Sequence, residues 1–117
     1  MTKDITIGGK PITFTANGAT ALFYKQFFHK DLLTEISTDG KEMEIASESI
    51  PELAFIMAKQ ADKADMMHLK FDMYIEWLQL FEPLALTLAG TEIFNVYIAD
   101  SIPSAEPKKK AKGKARE

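Results

Sequence analysis

His68 is the residue best placed to do chemistry: Asp65 stands three positions before it and Asp72 four after it. On a helix those spacings bring the three side chains onto one face, where carboxylates and an imidazole can bind a metal ion or pass a proton. The same stripe reads more simply as the solvated side of an amphipathic helix with a surface charge pair, because no second histidine or cysteine lies near enough in sequence to complete a ligand set. His29 follows two phenylalanines without a partner that the sequence displays, and is expected as a partly buried helix residue. Gly9-Lys10 resembles the end of a phosphate loop, but the first glycine of GxxxxGK[ST] falls on Asp4 and the Ser/Thr on Pro11. The serines sit in expected loops and caps, with no G-x-S-x-G elbow. Cysteine is absent, which excludes disulfides, thiolate nucleophiles and thiolate zinc sites and fits a reducing compartment. The expectation is a protein that is not an enzyme and holds no cofactor and no metal.

The elements that carry these residues are set by periodicity. DITIGGKPITFT alternates apolar and polar residues on both sides of Gly8-Gly9, with Ile5 and Ile7 on one arm and Ile12 and Phe14 on the other, which reads as a β-hairpin. Two strands alone are marginal in water, so helices must cover the apolar face. Asn17 can serve as an N-cap, and the spacing predicts a first helix over residues 19–36. Ala21, Leu22, Phe28, Leu32, Leu33 and Ile36 gather on its broad apolar side.

Residues 37–47 (STDGKEMEIAS) read as a loop around Asp39-Gly40. Ser49 and Glu52 have capping-box spacing at the head of a second helix, residues 50 to about 59–61, which Leu53, Phe55, Ile56 and Met57 leave with only a narrow polar side. A third helix starts at Asp65 and ends at Glu82, before Pro83, with Met66, Leu69, Met73, Trp77, Leu80 and Phe81 on its broad apolar face. A fourth, residues 91–99, begins after Gly90 and is apolar nearly all round, the pattern of a helix buried in its own core or in a subunit interface. The fold class is α+β: an N-terminal β-hairpin packed on a mainly α-helical body of about four helices. Residues 1–102 form one globular domain, and residues 103–117 a disordered basic tail with nothing bulky to bury.

Two features lie outside this plan. Phe23 and Phe27 fall on a side of the first helix separate from its broad apolar face, near Thr20, Lys30 and Thr34. Exposed together, they are the candidate partner site, and serine at both would abolish partner binding at an unchanged thermal midpoint. The second feature is charge. Residues 108–117 carry six of the fourteen cations and one of the seventeen anions, which leaves residues 1–107 with eight cations, sixteen anions and a net −8. Such a body repels phosphate and anionic lipid, so the candidate contacts for a polyanion are the tail residues Lys108, Lys109, Lys110, Lys112, Lys114 and Arg116. No stretch is long and apolar enough to span a membrane, and MTKDITIGGK has no apolar core of a secretory signal.

The hairpin DITIGGKPITFT, the stretch YKQFFHKDLLTEI, the segment IPELAFIMAKQAD and WLQLFEPLALTLAGTEIFNVYIAD together resemble the tail assembly chaperones of long-tailed phages and prophages, over residues 4–100. The resemblance implies transient binding to the tape-measure protein and recruitment of tail-tube proteins in the host bacterial cytoplasm, with self-association a further expectation. It also implies a longer isoform made by ribosomal frameshifting, for which an A-rich run of codons at Lys108-Lys109-Lys110 would be the slippery site. Two other functions compete with it: a small nucleic-acid-binding protein that contacts phosphates weakly through its basic tail, and a structural tail or head–tail component retained in the finished particle.

Overall fold

The hairpin forms as its alternation requires. The structure, a computed structural model, describes residues 1–39 and 42–101. Strand β1 (Thr2–Ile7) pairs antiparallel with β2 (Lys10–Thr15), Ile5 opposite Ile12 and Lys3 opposite Phe14. Gly8 and Gly9 both have positive φ, 57° and 84°, as a two-residue primed turn needs. Ile5, Ile7 and Phe14 leave solvent completely or nearly so. They do so chiefly against α2 (Ile50–Ala61), which lies across β2.

α1 (Thr20–Phe28) is half the expected length. His29 takes the left-handed conformation, φ 59°, and its amide bonds the Lys25 carbonyl, which closes the helix. Asp31 then turns extended and its carboxylate accepts the Leu33 amide at 3.0 Å, starting a 3₁₀ turn over Leu32–Glu35. The break redistributes the apolar face: Leu32 is fully buried, whereas Leu22 and Leu33 are 55% and 66% exposed. His29 is exposed, not half-buried. At the other end the Asn17 carboxamide accepts the Ala19 amide at 2.9 Å and the Gln60 side chain at 3.1 Å, and buried Thr20 donates to Gln60 at 2.8 Å.

The segment read as a loop is a second hairpin, β3 (Ile36–Asp39) with β4 (Glu42–Ile45), Ile36 opposite Ile45 and Thr38 opposite Met43. The Ser49–Glu52 capping box does not form. Ser49 is fully buried and donates instead to the Glu35 carboxylate at 2.8 Å, while Glu52 turns toward Tyr24. α2 itself keeps its expected bounds, with Leu53 to Ala58 all buried.

The expected third helix is interrupted. Met66–His68 form a 3₁₀ turn, Leu69 and Lys70 run extended, and α3 covers only Phe71–Leu78. No glycine or proline marks the break, so tertiary packing overrides local propensity here. Beyond Pro83 lie α4 (Ala85–Leu88) and α5 (Gly90–Ser101). α5 is not apolar all round: Ile93, Phe94, Val96 and Tyr97 are buried while Thr91, Glu92, Asn95 and Ala99 face water. Its apolar side closes within this chain, against α2 and the first hairpin. A Cβ on Gly90 would meet the Ile50 Cδ1 atom at 2.7 Å, so the glycine lets α5 start close to the first turn of α2. The fold is thus α+β as expected, with five α-helices and two hairpins among the described residues. The tail, residues 103–117 with Lys108, Lys109, Lys110, Lys112, Lys114 and Arg116, lies outside the described residues.

Candidate functional site

Aromatic side chains meet in one chain of contacts where α1, α2 and α3 converge. Phe28 sits 5.1 Å from Tyr74, Tyr74 5.1 Å from Phe55, Phe55 5.7 Å from Trp77 and Trp77 4.9 Å from Phe81, all tilted or edge-to-face. Such pairs contribute beyond the area they bury, about 0.5–1.5 kcal/mol each. Phe55 is the fully buried centre of this cluster.

Phe27 belongs to the same cluster. Its ring contacts Phe28 at 4.8 Å, Phe55 at 5.5 Å and Tyr74 at 6.4 Å. Phe23 is likewise half-buried against the core. Neither stands clear of the fold as an exposed pair, because the shortened α1 presents Thr20 and Tyr24 inward and these two phenylalanines fall on the flanks of that buried line. The exposed aromatic is Phe71, at the start of α3, 62% accessible and stacked on Phe27 at 6.4 Å and 18°. Ile75, one turn on, is also exposed. Phe27, Phe71 and Ile75 form a shelf whose inner edge is core and whose outer edge is bare, and Asp72 and Glu76 beside it face water.

Behind the shelf lies a polar network. The Tyr24 hydroxyl donates to Glu52 Oε1 at 2.6 Å, and the Lys30 ammonium meets the same oxygen at 2.8 Å. Burial first, then the hydrogen bond to Glu52, push the Tyr24 phenol above its ordinary value. Tyr74 is pushed up to about 12, by burial and then by the Glu52 charge. Lys30 is held protonated to higher pH by Glu52. The phenol of Tyr24 on α1, bound in its neutral form to the Glu52 carboxylate on α2, is a structural joint between the two helices.

His68 and Asp65 do meet, at 2.8 Å, but both side chains are largely exposed. The extended Leu69–Lys70 stretch separates them from Asp72, which lies on α3. Among the described residues no three His, Asp or Glu side chains are grouped to hold a metal, and no helix is long and apolar enough to cross a membrane. Sequence reasoning missed the shelf because a continuous helix from Asp65 assigns the inward face to Met66, Leu69 and Leu80. Leu80 is in fact 55% exposed. The available signal was the four-residue Phe71–Ile75 spacing, each followed directly by a carboxylate, Asp72 and Glu76.

Compared with protein-family models, with curated proteins and with solved structures, the chain has no match.

Proposed function

We propose that the chain is a non-enzymatic assembly chaperone of the phage-tail type, which covers apolar helical segments of a tape-measure protein and brings them to tail-tube subunits in the bacterial cytoplasm. The observation that carries this reading is the shelf of Phe71 and Ile75, apolar side chains exposed at the edge of the aromatic core, with Phe71 stacked on Phe27. A chaperone needs such a surface, and it needs charge around it to stay soluble between partners, which the net −8 of residues 1–107 supplies. The resemblance to tail assembly chaperones names the partner class. The longer frameshifted isoform belongs to the same proposal, and intact masses of the products of the native gene with its downstream DNA test it.

The binding reading is tested by co-expression with a helical fragment of a tape-measure protein. The wild-type chain keeps the fragment in the soluble fraction; Phe71→Ser with Ile75→Ser loses it to the pellet while its own thermal midpoint moves by no more than a few degrees. Full retention of the fragment by the double variant contradicts the assignment of the shelf.

A further inference from the structure

A second bare apolar surface lies away from the shelf, where α4 meets the turn of the first hairpin. A groove of about 380 Å³ runs there. Its floor is Ile7, Ala85 and Ala89, and a Cβ added to Gly8 would sit only 3.7 Å from that of Ala85, so hairpin and helix are in close contact beneath it. Its rim is Leu84 and Leu88, one helical turn apart and 63% and 82% exposed. Leu88 is the most exposed large apolar side chain among the described residues. The lining also holds two carboxylates, Glu82 and Glu92, both facing water, and no cation. The nearby hairpin lysine, Lys10, is engaged elsewhere: its ammonium donates to the Leu80 carbonyl at 2.7 Å and ties the α3–α4 connection to the hairpin.

We propose that this groove docks one amphipathic helix of another protein, with leucine-type side chains along one face and lysine or arginine on the flanks. The inference rests on the reading of the chain as a binding protein and adds the chemistry of the partner. Leu84 at the N-cap of α4 and Leu88 at its end are spaced by four and form a short ridge of the kind that interdigitates with the i, i+4 ridges of a second helix. The groove is open along its rim and its floor is apolar, Ile7, Ala85 and Ala89, so it takes side chains of a helix laid across it. The sign of the partner's charge comes from Glu82 and Glu92, reinforced by the field of an acidic body, which favours a cationic flank and repels an anionic one. The tail of this chain supplies cations but, after Ile102, no bulky apolar side chain to set between the leucines.

The test uses the full chain and a fluorescently labelled synthetic peptide of about four helical turns, with leucine at i, i+3 and i+4 and lysine on the flanks. Anisotropy at physiological ionic strength is expected to show saturable binding. Leu84→Ser with Leu88→Ser, which leaves the net charge unchanged, weakens it at least about tenfold. Glu82→Gln with Glu92→Gln weakens it about two- to fivefold and flattens its salt dependence. The same peptide with glutamate for lysine does not bind. Equal binding by wild type and the leucine variant overturns the proposal, as does no binding by wild type. If Phe71→Ser with Ile75→Ser abolishes peptide binding while the leucine variant retains it, the groove is wrong and the binding-protein reading stands; failure of the tape-measure co-expression removes that reading instead. A dimer in sedimentation equilibrium that becomes a monomer in the leucine variant assigns the groove to a second copy. Shifts of the Leu84 and Leu88 amide resonances on replacing the tail cations by glutamine, with no peptide present, assign it to the chain's own C-terminus. Either outcome overturns the proposal.

Discussion

α2 and the α3–α4 segment are built from similar residues and put to opposite uses. α2 buries six consecutive residues, Leu53 to Ala58, because β2, α1 and α5 each cover part of its circumference and α3 and α4 close the rest. α3 is as rich in large apolar side chains yet buries only Tyr74 and Trp77, and leaves Phe71 and Ile75 bare. α4 buries Leu86 and leaves Leu84 and Leu88 bare on either side of it. Apolar content therefore does not distinguish core from exposed surface here; the number of neighbouring elements does. α2 is the hub, and α3 and α4 are the outermost layer, with one side on the hub and the other unclaimed.

The comparison breaks most visibly at its centre. Phe55→Ala removes the ring on which Phe27, Tyr74 and Trp77 converge, and is expected to cost about 3–5 kcal/mol in urea unfolding. A loss under about 1 kcal/mol would mean that α2 is not the hub. Next comes Phe23→Ser with Phe27→Ser. Sequence reasoning expects an unchanged midpoint from this pair, whereas their packing against the core predicts a loss of about 2–4 kcal/mol, measured in the same way.

Tyr24→Phe is expected to cost about 1–2 kcal/mol at neutral pH, because Glu52 keeps its Lys30 partner but loses a short hydrogen bond. The same network gives a pH signature. Tyr24 and Tyr74 have folded-state pKa values above the unfolded value of 10.0, and Tyr74 reaches about 12. The folded state then holds phenolic protons that the unfolded chain releases, so their contribution is complete below pH 10 and falls as pH rises from 10 through 12. Urea midpoints across that interval are expected to decline in wild type and to decline less in Tyr74→Phe. The smallest stability effect belongs to the outer layer: Leu84→Ser with Leu88→Ser should shift stability by no more than about 0.5 kcal/mol, read from urea midpoints, while peptide binding falls.

How far the sequence reveals this arrangement depends on how local its causes are. The Gly8-Gly9 hairpin, α2 and α5 are specified by turn chemistry and continuous periodicity, and their bounds match the expected ones closely. The end of α1 depends on His29 entering the left-handed region and on Asp31 capping the next turn, events that no breaker residue announces. The Asp39-Gly40 dipeptide is a hairpin signal, but strands of four residues give too short an alternation to outweigh the charge around them. Ser49 and Glu52 have the spacing of a capping box and are drawn off by Glu35, Tyr24 and Lys30, partners brought in by the tertiary fold. The same reasoning explains the candidate site. Phe23 and Phe27 are the expected surface on the geometry of a longer helix; in the fold both pack against the core, and Phe27 backs Phe71, a residue whose exposure depends on the 3₁₀ turn and extended step before α3.

The central claim is that the outer side of α3 and α4 is a binding surface while α2 is sealed. The most direct measurement is an amide ¹H–¹⁵N titration of the full chain with a soluble helical fragment of a tape-measure protein. Saturable shifts are expected, concentrated at Phe71, Ile75, Leu84 and Leu88, with the amides of Leu53 to Ala58 unmoved. Shifts confined to the β3–β4 hairpin or to residues 103–117, with α3 and α4 silent, would contradict it.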